Sequence, residues 1–242
     1  AIFANSVLTE WNKQEYFSQK ELYGTQFYQP SFELIKAAQL HRGNGLQVAR
    51  GVTAARGPMD AAAVKFEQSL QQLMTLQKNH ASDIEMGSKL SEISRTWDTV
   101  KLAATTMQPK AGFDAHSAMI EDILTYIELY SDQSNLTLDP QVDSFYLMQL
   151  LSFTLPRAIE YAARMRGAAA GAIANGAAPQ SAINVLTGLR PIAIDKVEEA
   201  LRSASKASNS IGGELDANIA TLRSANATFS ERVAEIIRDG RS

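Results

Sequence analysis

The sequence predicts an all-α protein, on three observations. Strand signals are nearly missing, because Val, Ile and Thr do not gather in alternating runs bounded by turns. Ala, Leu, Gln, Glu, Lys and Arg dominate, and these residues lose least on entering a helix. The C-terminal segment carries a helical stripe, in which apolar or small residues recur at Val197, Leu201, Ala204, Ser208, Ile211, Leu215, Ile219, Leu222, Phe229, Val233 and Ile236. Steps of four and three alternate there, the spacing of a left-handed coiled seam, with a small stutter around Ile219. At 1.5 Å per residue the stripe runs about 60 Å, longer than one small bundle. It is expected to be one uninterrupted helix, shared by two stacked packing units or paired with another chain.

Proline and glycine fall at intervals that divide helices rather than hairpins: Tyr23-Gly24, Gln29-Pro30, Gly57-Pro58, Gln108-Pro109, Asp139-Pro140, Asn175-Gly176 with Pro179, and Pro191. Pro58 and Pro140 fit a first helical position, where a missing N–H costs nothing. Asp139 is then the N-cap that accepts an orphan amide. Ser82-Asp83-Ile84-Glu85 matches a capping box. Residues 142–163 are apolar nearly all round (Phe145, Tyr146, Leu147, Met148, Leu150, Leu151, Phe153, Leu155), which predicts a helix buried amid its neighbours. Gly167-Ala168-Ala169-Ala170-Gly171-Ala172 follows, small enough for close helix approach, and Asn175-Gly176 reads as a stop.

Two stretches read alike. Pro30 opens a run with Glu33 and an apolar body that closes on Arg42-Gly43; Pro156 opens a run with Glu160 that closes on Arg166-Gly167. A chain that repeats itself is built from similar units, and arginines at matching points are expected to meet at the seam between them.

Composition bounds the function. The 242 residues suffice for one large domain or two small ones. With 23 basic and 26 acidic side chains, the chain lacks the basic excess of a nucleic-acid binder. Cysteine is absent, which removes disulfides, thiolate metal sites and a cysteine nucleophile. No apolar run reaches the roughly 18 residues that span a bilayer. The start, Ala1-Ile2-Phe3, has no initiator Met, and the end falls inside a helical pattern, so a piece of a longer chain is expected.

Chemistry-bearing motifs are scarce. Di-iron bundles need Glu-x-x-His, but the residues three before His41, His80 and His116 are Ala38, Gln77 and Phe113. No metal and no cofactor are expected. Phosphate-binding glycine loops and a nucleophile elbow are also missing, so no enzyme is expected. Glu198-Glu199 and Glu231 with Glu235 read as solvated charge. Asn135-Leu136-Thr137 and Asn226-Ala227-Thr228 fit the glycosylation pattern, which chance supplies equally well. Arg42, Arg50 and Arg56 lie in one charge-poor run, Arg164 and Arg166 in the other. A guanidinium in such surroundings needs a partner, and its planar fork suits carboxylate, nitrate or phosphate. Two readings stay open: pairing with local carboxylates or solvent along the stem, or an anion-binding role.

The run Ser134-Asn135-Leu136-Thr137-Leu138-Asp139-Pro140-Gln141-Val142-Asp143-Ser144-Phe145-Tyr146-Leu147-Met148 resembles a segment of all-helical extracytoplasmic sensor regions of bacterial receptors, Ser-x-Leu-x-Leu-Asp-Pro-x-x-Asp-Ser-Tyr-Tyr-Leu-Met. Leu155-Pro156 and Arg166-Gly167 follow in the same order, and Gln39 with Arg42-Gly43 is similar to the Gln-x-x-Arg-Gly turn of nitrate- and nitrite-sensing helical domains. Leu40-His41 stands where a nitrate sensor carries an acidic residue. The resemblance covers most of the chain in layout and is specific over residues 134–167. It implies a pair of stacked four-helix bundles sharing long helices, so that residues 1–242 form one periplasmic sensor region of two modules built from non-contiguous segments. It also implies a place between two membrane helices of an inner-membrane histidine kinase or chemotaxis receptor, and homodimer pairing along the terminal helices. Small anions are the implied ligands. Arg42 and Arg166 are the implied anion ligands, with Arg50 and Arg164 beside them in the same runs. The alternative is a helical module that binds a periplasmic partner protein instead.

Overall fold

The computed structural model describes residues 2–106, 108–138, 142–173 and 178–240, with side chains from residue 11 onward except 142 and 143. Among the described residues all regular structure is helical: α1 (Ile2–Thr25), α2 (Tyr28–Ala49), a 3₁₀ turn (Thr53–Ala55), α3 (Arg56–Asn79), α4 (Gly87–Thr106), α5 (Pro109–Gln133), a second 3₁₀ turn (Leu136–Leu138), α6 (Val142–Gln149), a π-helical stretch (Leu150–Thr154), α7 (Leu155–Ile173), α8 (Gln180–Ser210) and α9 (Asp216–Asp239). None of the described helices is long and apolar enough to cross a membrane. The chain divides into two compact units, residues 1–139 and 140–242. Each is one continuous stretch, where interleaved segments were expected, and no helix is common to both.

In the first unit, α2 packs on α3, α4 and α5 to make a four-helix bundle. Each helix buries a stripe at three- and four-residue steps: Leu34, Ile35 and Ala38 on α2; Met59, Ala62, Phe66, Leu70 and Leu73 on α3; Leu90, Ile93, Trp97 and Val100 on α4; Met119, Ile120, Ile123, Ile127 and Tyr130 on α5. Phe66 and Trp97 stack with centroids 4.0 Å apart. Each buried Leu, Ile, Val, Met or Phe among them contributes about 1.5–3 kcal/mol through lost water contact. At one end small residues draw α2, α4 and α5 together. A Cβ on Gly45 would meet the Ala104 Cβ at 2.9 Å, and one on Gly112 the Ala103 carbonyl oxygen at 3.1 Å.

The loop between α3 and α4 does not use the capping box. Ser82 donates to its neighbour Asp83 instead. The buried Gln77 amide donates to the Ile84 carbonyl and accepts from the Met86 N–H at 3.1 Å, while Gln133 accepts from the Glu85 N–H at 2.6 Å. These amides satisfy the backbone from neighbouring helices, which lets Ile84 and Met86 enter the core. Pro109 opens α5, whereas Pro58, expected at a first helical position, stands in the third position of α3.

The second unit is built around α8, which packs on α6, α7 and α9. Its core is lean: Met165, Ala169, Ala172, Leu186, Ala193 and Val233 in one cluster, Ala158, Val197, Ala200 and Leu201 in another. Three expectations are corrected here. Pro156 does not open a helix, because residues 142–173 are helical throughout; the π turn just before it widens the coil, with the Leu155 N–H reaching back to the Leu150 carbonyl. A wider turn leaves room for a ring that would clash with the carbonyl four residues back. Pro191 likewise stands inside α8. Residues 142–163 are not enveloped, since Phe145 keeps 39% of its surface exposed and Leu147, Met148, Leu151 and Phe153 are only half-buried. The Asp139-Pro140 cap and the Asn175-Gly176 stop lie outside the described residues.

The largest correction concerns the C-terminal stripe. It is two helices. α8 ends at Ser210, and Gly212 and Gly213 take φ of 74° and 87°, a left-handed conformation that glycine adopts without steric cost. Ser208 fastens the turn: its carbonyl accepts from the Gly213 N–H at 2.7 Å, and its hydroxyl donates to Asp216 at 2.6 Å and accepts from the Leu215 N–H at 3.1 Å. α9 then runs antiparallel to α8, as Glu198 facing Arg223 and Arg190 facing Ser230 require. The stripe's two halves cover each other: Ile219 lies on Val197 and Leu201, Phe229 and Val233 on Leu186 and Ala193. A helix long enough to link two packing units is replaced by a hairpin inside one.

Candidate functional site: a buried arginine beside a histidine pair

Helix α2 presents His41 and Arg42 to the interior of the first bundle, where they are 1% and 2% exposed. Helix α5 meets them with Gly112, Phe113, His116 and Ser117, two neighbouring pairs one turn apart. His41 Nδ1 and His116 Nε2 lie 2.8 Å apart. His116 Nδ1 lies 2.7 Å from the Gly112 carbonyl oxygen. A carbonyl only accepts, so the His116 proton sits on Nδ1, its Nε2 offers a lone pair, and His41 donates through Nδ1. Burial keeps both rings neutral near pH 7.

Burial, the first cause, pulls both imidazoles from 6.5 down to about 4. For His41 the charges of His116 and Lys101 add to the fall, against smaller opposing effects of Asp60 and Glu67. For His116 the Gly112 carbonyl works in the opposite direction and the Arg42 charge adds to the fall. Outside this pair, Trp97 stands edge-on to His41 at 4.9 Å and donates to Glu67, whose carboxylate also accepts from Lys101 at 2.6 Å. The Lys101 hydrogen bond holds the Glu67 carboxyl below the usual carboxylate range.

The Arg42 guanidinium donates to the Ser117 hydroxyl at 2.9 Å, which itself donates a hydrogen bond to the Phe113 carbonyl, and it lies 4.7 Å over the Phe113 ring. Arg42 and His116 line a cavity of about 10 Å³ walled by Gly45, Gly112 and Phe113. That is room for one water, not for an organic acid.

The four arginines singled out by sequence meet different fates. Arg42 alone is in the interior. Arg50, on the same helix, follows its last residue and is exposed. Arg164 lies 2.6 Å from Glu160, whose side chain is fully buried, and covers Tyr161 at 5.4 Å, so it follows the local-carboxylate reading. Arg166 is exposed. The sequence reading considered His41 and His116 only as metal ligands and did not pair them. Nor did it see a set of arginines on the α8–α9 hairpin: Arg190, Arg223 and Arg238. Among the described residues no group of three or more His, Asp or Glu is placed to hold a metal ion. No protein-family model, no curated protein and no solved structure matches this chain.

Proposed function

We propose that the chain is the extracytoplasmic ligand-sensing part of a bacterial transmembrane receptor, a histidine kinase or chemotaxis receptor, and that Arg42 is where a small anion acts. The observation that supports this reading is a guanidinium placed inside a helical bundle, donating to Ser117, lying over the Phe113 ring and lining one cavity with His116. A charge in low dielectric attracts an anion far more strongly than one in water. The cavity is too small for such a ligand, so binding parts α2 from α5. A ligand that prefers the parted arrangement shifts the population toward it, and a helix slide of one residue, about 1.5 Å, is enough for a packed bundle to change register. The sequence likeness over residues 134–167 supplies the receptor context.

The test is thermal melting of the chain against a panel of small inorganic and carboxylate anions, for wild type, Arg42→Gln and Arg42→Lys. One anion is expected to raise the melting temperature of wild type and of neither variant. A panel that moves nothing, or moves Arg42→Gln as much as wild type, removes the reading. Recognition of a partner protein is the second reading, favoured by α1, where Trp11, Tyr16 and Leu22 are 73%, 55% and 58% exposed. It predicts that melting responds to a periplasmic binding protein and to no anion.

A further inference from the structure

The α8–α9 hairpin holds a groove of about 370 Å³ along one face, and Arg190, Arg223 and Arg238 all line it. A second hollow of about 260 Å³ continues past Arg190 and Arg238, which border both. We propose that this groove is a binding site for a phosphate group, free or as a monoester, held between Arg190 and Arg238.

The three arginines are not equivalent. Arg223 is engaged with Glu198 at 3.6 Å. Arg190 donates through Nε to the Ser230 carbonyl at 3.2 Å. That bond fixes the plane of the guanidinium and leaves its two terminal nitrogens as a fork of donors. Arg238 makes no ion pair or side-chain hydrogen bond among the described residues and lies in the last turn of α9. A lone cation there answers the negative end of the helix. Here, though, Gly240 lies against Ile183, so α8 begins where α9 ends and the two dipoles offset each other. Arg238 therefore faces the groove with its charge available.

Charge selects the ligand class. Two open guanidiniums match a dianion, whereas a monocarboxylate leaves one of them unmatched. A phosphate offers oxygens to a fork on one side and to a second cation on the other. The lining also includes the apolar Ile194, Ala227 and Ala234 among polar neighbours, so a monoester has apolar contacts for its carbon portion. Glu231 is the opposing charge at the rim. The site lies wholly in the second unit and does not depend on Arg42.

Calorimetric titration of the full chain with inorganic phosphate and with phenyl phosphate tests the assignment. Saturable binding is expected in at least one arm, and the arm that binds more tightly names the source. Arg190→Gln and Arg238→Gln are each expected to weaken it at least tenfold, and Glu231→Gln to strengthen it. Arg166→Gln, which removes an exposed arginine outside the groove, and Arg42→Gln are expected to leave it unchanged. Arg238 is exposed, so its variant keeps the fold and decides the matter if Arg190→Gln does not. No saturable binding in either arm, binding unaltered by Arg238→Gln, or an equal loss from Arg166→Gln or Arg42→Gln overturns the proposal.

Discussion

His41 on α2 and His116 on α5, 75 residues apart in the chain, share one hydrogen bond of 2.8 Å in a buried pocket. The Gly112 carbonyl dictates which nitrogen of each ring carries the proton. The bond is lost once both rings are protonated, since two N–H groups would then face each other with the Arg42 charge nearby.

This neutrality makes stability depend on pH. Both rings have their value lowered from 6.5 to about 4 by burial. The unfolded chain therefore binds more protons than the folded one below about 6.5. Stability is full above that pH, falls as the pH drops toward about 4, and stops falling on this account once the folded rings also protonate. Each unit of difference is worth about 1.4 kcal/mol, and the pair is expected to cost roughly 3–5 kcal/mol in all, allowing for their coupling. Urea unfolding midpoints between pH 7 and 4 measure it. In the double variant His41→Gln with His116→Gln most of that slope disappears; an unchanged slope refutes the pair as its source.

Gly43 and Gly45 are two residues apart on α2 and predict opposite outcomes. A Cβ at Gly43 meets nothing within 4 Å, while one at Gly45 meets the Ala104 Cβ at 2.9 Å. Gly43→Ala is expected to stabilise by about 0.5–1 kcal/mol through lower entropy of the unfolded chain. Gly45→Ala is expected to destabilise by about 1–3 kcal/mol, because α2 and α4 must part to admit the methyl. Equal shifts in melting temperature for the two variants contradict the close approach.

Arg164 is expected to matter for folding rather than for ligand. Its partner Glu160 is fully buried and 2.6 Å away, and removing one member of a buried pair weakens the compensation of the other's charge. Arg164→Ala should cost about 3 kcal/mol in chemical unfolding, whereas the exposed Arg166→Ala should shift stability by under about 0.5 kcal/mol. Comparable losses would mean that burial does not separate the two arginines.

Much of this was readable along the chain. The Glu160–Arg164 contact is a four-residue step on one helix, so sequence spacing alone allows it. The helix opening at Pro109 follows from a missing N–H that costs nothing there. Other readings failed where local and distant forces disagree. The apolar stripe argued for one long helix, but the adjacent Gly212 and Gly213 permit a reversal, and folding back covers Leu201 and Leu186 with the second half of the same stripe. Ser82 had the right spacing to cap, yet Gln77 and Gln133 reach the same loop from neighbouring helices. Arg42 and Arg166 looked alike in sequence because both precede glycine, and nothing in that likeness says which face of its helix finds cover.

The sequence by itself determined the helical class, since propensity, period and proline position act within a few residues of one another. Tertiary structure decided which polar groups are dry. The Arg42–Ser117 and His41–His116 contacts need α2 beside α5, and the Arg190–Ser230 contact needs α9 folded onto α8. Burial raises the cost of an unmet charge and strengthens the bond that meets it, and burial is a property of how helices pack, which no single stretch of chain contains.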